Sequence, residues 1–193
     1  MKVISGILKG RTIEGYNIDG TRPTMDRVKE SLFGTIQNNI KNSTVLDLFA
    51  GSGNLGIEAL SNGATKCYFI DNNKEVIKVL NKNITNLNIK DKSVITLSDW
   101  KKALNDFGFK KIKFDLIFVD PPYDYNVYEK ILDKVSQLEL LNENGLIILE
   151  HHNLKLKDNY NNLSLYKEKN YGNKSVNIYK FNWHKYPYMI YFI

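Results

Sequence analysis

Residues 44–56 hold the strongest pattern in this chain and read Thr44-Val45-Leu46-Asp47-Leu48-Phe49-Ala50-Gly51-Ser52-Gly53-Asn54-Leu55-Gly56. The first six residues form a short, mostly apolar run that predicts a β-strand, and the three glycines satisfy G-x-G-x-x-G. Glycine allows a tight turn and lets the backbone approach a ligand closely. Asp71 ends the next apolar run, 20 positions after Gly51, where a carboxylate can accept hydrogen bonds from ribose hydroxyls. The spacing predicts a nucleoside-containing ligand over this loop.

The apolar runs that follow this loop alternate with helical patterns. Near-continuous apolar strands separated by helices predict an α/β fold, with a mostly parallel sheet covered by helices on both faces. We place strands at residues 44–49, 67–71, 94–97, 114–119 and 145–150. Residues 163–169 and 176–181 have no helix between them, which predicts an antiparallel hairpin at one edge of the sheet.

The N-terminal segment has a different character. Residues 2–8 and 11–16 flank Lys9-Gly10 and predict a small β-hairpin extension, and Thr24 is the predicted N-cap of the following helix. All three arginines of the chain lie here, against 24 lysines overall, at positions Arg11, Arg22 and Arg27. Because only the arginine fork holds a carboxylate or phosphate at two points, this clustering favours a specific role, with chance as the alternative.

Composition limits the class of protein. The 193 residues carry a formal net charge of +6, which suits a polyanionic partner and is equally typical of a solubility feature. No apolar run approaches the ~20 residues that span a bilayer, and the first residues lack the pattern of a signal peptide. The single cysteine, Cys67, cannot form an internal disulfide or a thiolate metal cluster. We expect a cytoplasmic protein with no membrane and no metal, and we interpret His151 and His152 as a solvated strand end.

Two cofactors suit the glycine loop, NAD and S-adenosylmethionine. Asp47 at the end of the first strand would repel a pyrophosphate, whereas it could pair with the cationic amino or sulfonium end of S-adenosylmethionine. Asp99 follows the third predicted strand, where it could bond the adenine amine or serve as an ordinary turn aspartate. The sequence therefore favours S-adenosylmethionine.

The fourth strand ends in Asp120-Pro121-Pro122-Tyr123. The two prolines stiffen the loop and offer no N–H groups, so the carboxylate and the nearby carbonyls can accept hydrogen bonds from an exocyclic amine of a nucleobase. Tyr123 offers a flat face for base stacking, worth ~1–3 kcal/mol. This motif predicts methylation of such an amine, against a plain surface turn as the alternative.

These features resemble those of class I S-adenosylmethionine-dependent methyltransferases that act on exocyclic amines of bases. Two further stretches, Ser5-Gly6-Ile7-Leu8-Lys9-Gly10-Arg11 and Arg22-Pro23-Thr24-Met25-Asp26-Arg27-Val28-Lys29-Glu30-Ser31-Leu32-Phe33, resemble the RsmD family of bacterial 16S ribosomal RNA guanine-N2 methyltransferases. The similarity runs over residues 1–182. It implies a Rossmann-like, seven-stranded sheet and methylation of one guanine N2 in small-subunit RNA, in an assembling 30S particle. We expect the protein to act as a monomer.

The resemblance implies the cofactor and amine-site residues, and the sequence as a whole leads us to a division of the chain and a set of RNA contacts. Residues 1–40 would form the hairpin and helix extension, residues 41–182 the methyltransferase domain, and residues 183–193 an aromatic tail of unknown role. The expected cofactor contacts are Asp47, Phe49, Ala50, Gly51, Ser52, Gly53, Asn54, Asp71, Asn72, Asp99, Arg22 and Thr24. The expected catalytic residues are Asp120, Pro121, Pro122 and Tyr123, and the expected RNA contacts are Lys9, Arg11, Arg22 and Arg27.

Three other hypotheses stay open at this point. A DNA adenine-N6 or cytosine-N4 methyltransferase would share the Asp120 motif, although the chain offers no separate domain to read a DNA groove. An NAD-linked oxidoreductase would share the glycine loop. An RNA-binding or assembly factor would keep the cofactor pocket without catalysis.

Overall fold

The computed structural model describes residues 1–15, 22–122, 127–152 and 154–181, with residues 22–25 described by their backbone alone. The helices are α1 (Arg22–Ile36), α2 (Asn54–Ser61), α3 (Lys74–Asn86), α4 (Trp100–Phe109) and α5 (Tyr128–Gln137). The strands are β1 (Thr44–Asp47), β2 (Lys66–Asp71), β3 (Ser93–Leu97), β4 (Phe114–Val119), β5 (Leu141–His151), β6 (Asn159–Tyr160), β7 (Leu163–Tyr171) and β8 (Lys174–Phe181). In the described parts of the chain, no helix is long and apolar enough to cross a membrane.

All eight strands join one sheet in the order β3-β2-β1-β4-β5-β8-β7-β6. Neighbours from β3 to β5 pair in parallel, and β8, β7 and β6 add antiparallel pairs. The predicted Rossmann-like sheet with an antiparallel C-terminal hairpin is therefore confirmed. The strand number of seven is wrong, because the two-residue strand β6 extends the edge beyond β7.

Alternate residues of each strand face two separate cores, as the period of two requires. One core lies under α1, α2 and α3 and takes Val45, Phe69, Phe118 and Ile148. The other lies under α4 and α5 and takes Leu46, Ile70, Ile117 and Ile147. Two positions further along the chain from each residue of the first set, at the carboxyl ends of the four strands and on the same face, lie Asp47, Asp71, Asp120 and Glu150. Four carboxyl groups thus follow one face of the sheet at the edge where ligands bind in folds of this kind.

The N-terminal segment forms a hairpin only at its ends. Lys2 makes an antiparallel bridge with Thr12, but Gly6–Leu8 forms a short 3-10 helix. The predicted strand over residues 2–8 is therefore wrong in its second half. The reason lies on α2, where the carboxylate of Glu58 accepts the backbone N–H groups of residues 4–5 at 3.0 and 2.8 Å. A strand partner would need those same N–H groups.

Helix α1 covers the sheet on the Asp120 side and begins at Arg22. The prediction that Thr24 caps this helix is wrong, since the first turn already includes Pro23, where a missing N–H group costs no hydrogen bond. Phe33 packs on Phe118 of β4 with ring centroids 5.8 Å apart. The last turn of α1 therefore packs over the carboxyl end of β4.

Candidate active site

The glycine loop is held from below by Asp47. This last residue of β1 is 2% exposed, and its Oδ2 accepts the N–H of Gly56 at 2.9 Å. Gly53 adopts a φ of +90°, and a side chain there would collide with Leu80 and Ile57. Glycine is therefore required at the turn into α2, as the motif predicts.

The top of the loop is open. Gly51 has a φ of +54°, and a Cβ built on it would meet no atom within 4 Å. Its N–H donates to Asp71 Oδ2 at 3.0 Å, while Asp71 Oδ1 accepts the N–H of Asn73 at 2.9 Å. Asp71 thus joins the ends of β1 and β2, and Asn72 lies exposed beside it. Contact of these residues with a ribose stays a prediction.

The other loop residues divide by exposure. Phe49 and Asn54 are partly exposed, whereas Ala50 and Ser52 are buried. Ser52 faces inward at 6% exposure, and its carbonyl accepts from Asn83 Nδ2 at 2.9 Å. The side chains of Ala50 and Ser52 are therefore turned away from solvent, whereas Phe49 packs at the margin of the second core and Asn54 Oδ1 accepts from Lys29 Nζ.

Asp47 has unusual electrostatics. Burial raises the pKa of its carboxyl to about 7, against a lowering effect of the Gly56 N–H and a further raising effect of the charge on Asp71. A buried carboxyl with a raised pKa gains most from a nearby cation, because the cation favours its charged form. The site therefore fits a ligand that carries positive charge next to its nucleoside, and it disfavours a pyrophosphate.

Asp99 is exposed and caps α4, with its Oδ1 accepting the N–H of Lys101 at 2.8 Å. The cap is a local structural role for this carboxylate, and a bond to adenine stays a prediction. Tyr123 and residues 183–193 lie outside the described residues, and so do the side chains of Arg22 and Thr24.

Asp120 follows β4 at the same edge of the sheet. Its side chain reaches solvent, with Pro121 buried and Pro122 exposed beside it. Desolvation by the surrounding protein raises the pKa of the Asp120 carboxyl most. The charges on Glu150 and Asp47 also raise this pKa, whereas the ammonium of Lys174 lowers it. Asp120 is therefore an acceptor whose affinity for a proton exceeds that of an ordinary aspartate.

Sequence analysis did not identify Lys29 and Glu58. Their side chains are 2% and 0% exposed and pair at 2.9 Å. Lys29 Nζ also donates to the carbonyl of Lys2 at 2.9 Å and to Asn54 Oδ1 at 2.8 Å. This pair connects the N-terminal segment, α1 and the glycine loop. The signal was present, because Lys29 lies at helical spacing with Leu32, Phe33 and Ile36 on the apolar face of α1.

His151 is buried, contrary to its prediction as a solvated residue. His151 is 2% exposed, its Nε2 lies 2.8 Å from Asn177 Oδ1, and its Nδ1 accepts the N–H of Leu154 at 3.2 Å. The interpretation as a solvated strand end is wrong for His151, because Asn177 of β8, the backbone of Leu154 and the ring of Tyr128 contact its imidazole, whereas His152 is exposed. Among the described residues, no group of three His, Cys, Asp or Glu is placed to hold a metal ion.

The predicted RNA contacts that the structure describes all lie on the surface. Lys9, Arg11 and Arg27 are exposed. Arg11 also donates from Nη2 to the carbonyl of Asn86 at 2.8 Å, which fastens the N-terminal segment to the end of α3. Lys9 and Arg11 belong to the N-terminal segment and Arg27 to α1, and RNA contact stays a prediction.

A family model described as Conserved hypothetical protein 95 matches residues 1–180. The chain belongs to this family, the RsmD family. The match takes in the N-terminal segment of this RsmD-family chain together with its sheet and C-terminal hairpin.

Named relatives cover nearly the whole RsmD-family chain. Ribosomal RNA small subunit methyltransferase D of Haemophilus influenzae is 34% identical over 180 residues, which are 93% of each protein. The Bacillus subtilis protein YlbH is 36% identical over 181 residues, which are 93% of this chain and 98% of YlbH. The solved structure of yhhF from Escherichia coli superposes with a TM-score of 0.83 at 31% identity, covering 94% of this chain and 98% of that one.

Proposed function

We propose that this RsmD-family chain transfers a methyl group from S-adenosylmethionine to the exocyclic N2 amine of one guanine in small-subunit ribosomal RNA. One observation carries the proposal: the buried carboxyl of Asp47 and the accepting carboxyl of Asp120 follow the same face of the sheet at its carboxyl edge. The name of the Haemophilus influenzae relative supports small-subunit ribosomal RNA as the substrate. Guanine N2 rests on the resemblance of the N-terminal motif.

The residues present fit S-adenosylmethionine. When bound, this cofactor supplies a methyl group on a positively charged sulfur. Gly51 leaves backbone open to a ligand, and Asp71 at the end of β2 offers acceptor oxygens for ribose hydroxyls. Asp47 lies under the loop, where its negative charge favours the cationic part of the ligand.

Asp120 and Pro121 would orient the substrate amine. The Asp120 carboxylate and the Pro121 carbonyl accept hydrogen bonds from the two N–H groups, which aims the nitrogen lone pair away from the sheet. Methylation makes this nitrogen cationic, and one of its protons then passes to an Asp120 oxygen. The raised pKa of Asp120 suits this step, because an acceptor with higher proton affinity holds the proton more readily.

Tyr123 would stack on the guanine after the base has left its helix or loop. Lys9, Arg11, Arg22 and Arg27 would hold phosphates around the site, so that the surrounding RNA is bound mainly through its backbone. The enzyme would act as a cytoplasmic monomer on an assembling 30S particle, where a folded RNA presents a single guanine.

The test is transfer of labelled methyl from S-adenosylmethionine to unmodified 30S subunits, naked 16S RNA and duplex DNA, followed by nuclease digestion. We expect N2-methylguanosine from a ribosomal substrate alone. Label in N6-methyladenine or N4-methylcytosine of DNA would contradict the substrate, although it would keep the site. Cofactor binding without transfer to any of the three would favour a non-catalytic assembly factor.

A further inference from the structure

Glu150 and Lys174 form a buried ion pair one strand away from Asp120. Glu150 lies near the end of β5, and Lys174 is the first residue of β8. Their side chains are 14% and 9% exposed, and the ammonium is in direct contact with Glu150 Oε1. A buried ion pair recovers little more than the cost of removing its charges from water. Its position at the proposed amine site therefore requires another reason than stability.

The strand register brings this pair to the Asp120 side of the sheet. Val119 of β4 is paired with Leu149 of β5, so Asp120 and Glu150 are the next residues on neighbouring strands. Glu150 is paired with Val176 of β8. Lys174 precedes Val176 by two residues and so shares its face, which is the face under α1.

Four described groups act electrostatically on Asp120 or respond to it. They are Glu150 on β5, Lys174 on β8, Asp47 on β1 and the hydroxyl of Tyr128 on α5. The charge on Glu150 raises the pKa of Asp120 more than the ammonium of Lys174 lowers it. Tyr128 also donates its hydroxyl to the carbonyl of Glu150 at 2.8 Å, which fixes this end of β5.

We propose that Glu150 and Lys174 are positioning residues that set the affinity of the Asp120 carboxyl for a proton. The negative charge of Glu150 makes Asp120 a better acceptor for the proton released from the substrate amine. Lys174 neutralises part of this charge, which keeps the Asp120 carboxyl from holding a proton before the amine arrives. The inference rests on the proposed function, because it assigns the pair to the same amine site.

The direct test follows the titration of Asp120 in the full chain by NMR of labelled carboxyl carbons, with Asp120→Asn identifying the signal. We expect Lys174→Met to move the titration midpoint to higher pH and Glu150→Gln to move it to lower pH. Lys174→Arg keeps the charge and should restore the wild-type midpoint. If a single variant fails to fold, the double variant Glu150→Gln/Lys174→Met is used, with a midpoint below that of the wild type.

Lys78→Met is the matched control, because Lys78 pairs with Glu75 on the exposed surface of α3. It should leave the midpoint unchanged. Equal midpoints in the wild type, Lys174→Met and Glu150→Gln would overturn the proposal. So would shifts of both variants in the same direction, which a general loosening of the sheet edge would produce.

The same variants separate this inference from the proposed function. With ribosomal substrate, the acidic limb of the kcat/KM profile should move up in pH for Lys174→Met and down for Glu150→Gln, with a several-fold change in rate on that limb. The KM for S-adenosylmethionine should stay constant. Opposite NMR shifts without any methyl transfer to RNA would contradict the proposed function and support the electrostatic role. Methyl transfer to RNA with unchanged NMR midpoints would support the proposed function and contradict the electrostatic role of the pair.

Discussion

Two buried ion pairs lie under the same face of the sheet, and they differ in what surrounds them. Glu58, paired with Lys29, also accepts from the N–H groups of residues 4–5 and from the hydroxyl of Ser5 at 2.7 Å. The pair Glu150–Lys174 lies at the open carboxyl edge, and its field reaches Asp120. The first pair holds three parts of the chain together, whereas the second acts electrostatically on the Asp120 carboxyl, which we propose as the acceptor for the substrate amine. Burial of a charge pair therefore does not reveal its role until its other contacts are known.

The largest expected effect is the loss of Lys29. Lys29→Met leaves Glu58 as a buried carboxylate without its ammonium, and we expect the free energy of unfolding to fall by about 3–5 kcal/mol. Urea unfolding at pH 7 measures this. The control Lys78→Met breaks a surface pair whose side chains are 62% and 73% exposed and should cost under about 1 kcal/mol. Similar losses in the free energy of unfolding for both variants would contradict the expectation that the buried pair stabilises the fold more than the surface pair.

Asp47 is a third buried carboxyl, and it differs from Glu58 and Glu150 in its partners. Asp47 forms no ion pair with a described side chain, and its folded pKa of about 7 lies above the ordinary value of 3.8. Between about pH 4 and pH 7, the folded state therefore keeps a proton on Asp47 that the unfolded state has released. The stability that this carboxyl contributes is fully present below about pH 4 and is lost as pH rises through about 7.

Asp47→Asn removes this titration while keeping an acceptor for the Gly56 N–H. Relative to the wild type, the variant should gain up to about 4 kcal/mol of stability between pH 4 and pH 8, since one pKa unit is worth about 1.4 kcal/mol. Unfolding curves across this range check the prediction, and S-adenosylmethionine should bind the variant more weakly at pH 8. Parallel stability curves for the two proteins would contradict the raised pKa.

The docking of the N-terminal segment is tested by two glycines with positive φ. A Cβ on Gly6 would lie 2.0 Å from the carbonyl oxygen of Ser61, whereas a Cβ on Gly10 would meet nothing within 4 Å. Both substitutions by alanine incur backbone strain of about 1–2 kcal/mol, and Gly6→Ala adds about 1–3 kcal/mol of overpacking. Thermal unfolding of both variants gives the difference. Equal costs would mean that the segment does not depend on its contact with α2.

The sequence predicted the parts of this fold that depend on local pattern. Apolar runs located the strands of the parallel sheet, and the spacing of Gly51, Gly53 and Gly56 located the loop, since a turn between a strand and a helix depends on neighbouring residues. The place of Asp120 at the carboxyl edge follows from the same runs. These features needed no knowledge of distant contacts.

The errors and omissions share a physical cause. Residues 4–8 have the composition of a strand, but Glu58, more than 50 positions away, accepts two of the backbone N–H groups in this segment. His151 ends an apolar run as a solvated residue would, but distant elements contact it, namely Asn177 of β8 and the ring of Tyr128 on α5. Strand β8 also joins Lys174 to Glu150. The contacts of the antiparallel strand β8 and of the N-terminal segment depend on the tertiary fold. The periodicity of the sequence carries no information about such contacts.

The central claim is that the Asp120 edge performs the chemistry while the Asp47 loop binds the cofactor. The most direct test is Asp120→Asn in the full chain, with methyl transfer to 30S subunits measured beside calorimetric binding of S-adenosylmethionine. We expect transfer to fall by roughly 10²–10⁴-fold, as for loss of a positioned proton acceptor, with cofactor affinity changed little. Loss of binding together with transfer, or transfer that survives the substitution, would contradict this division of the site.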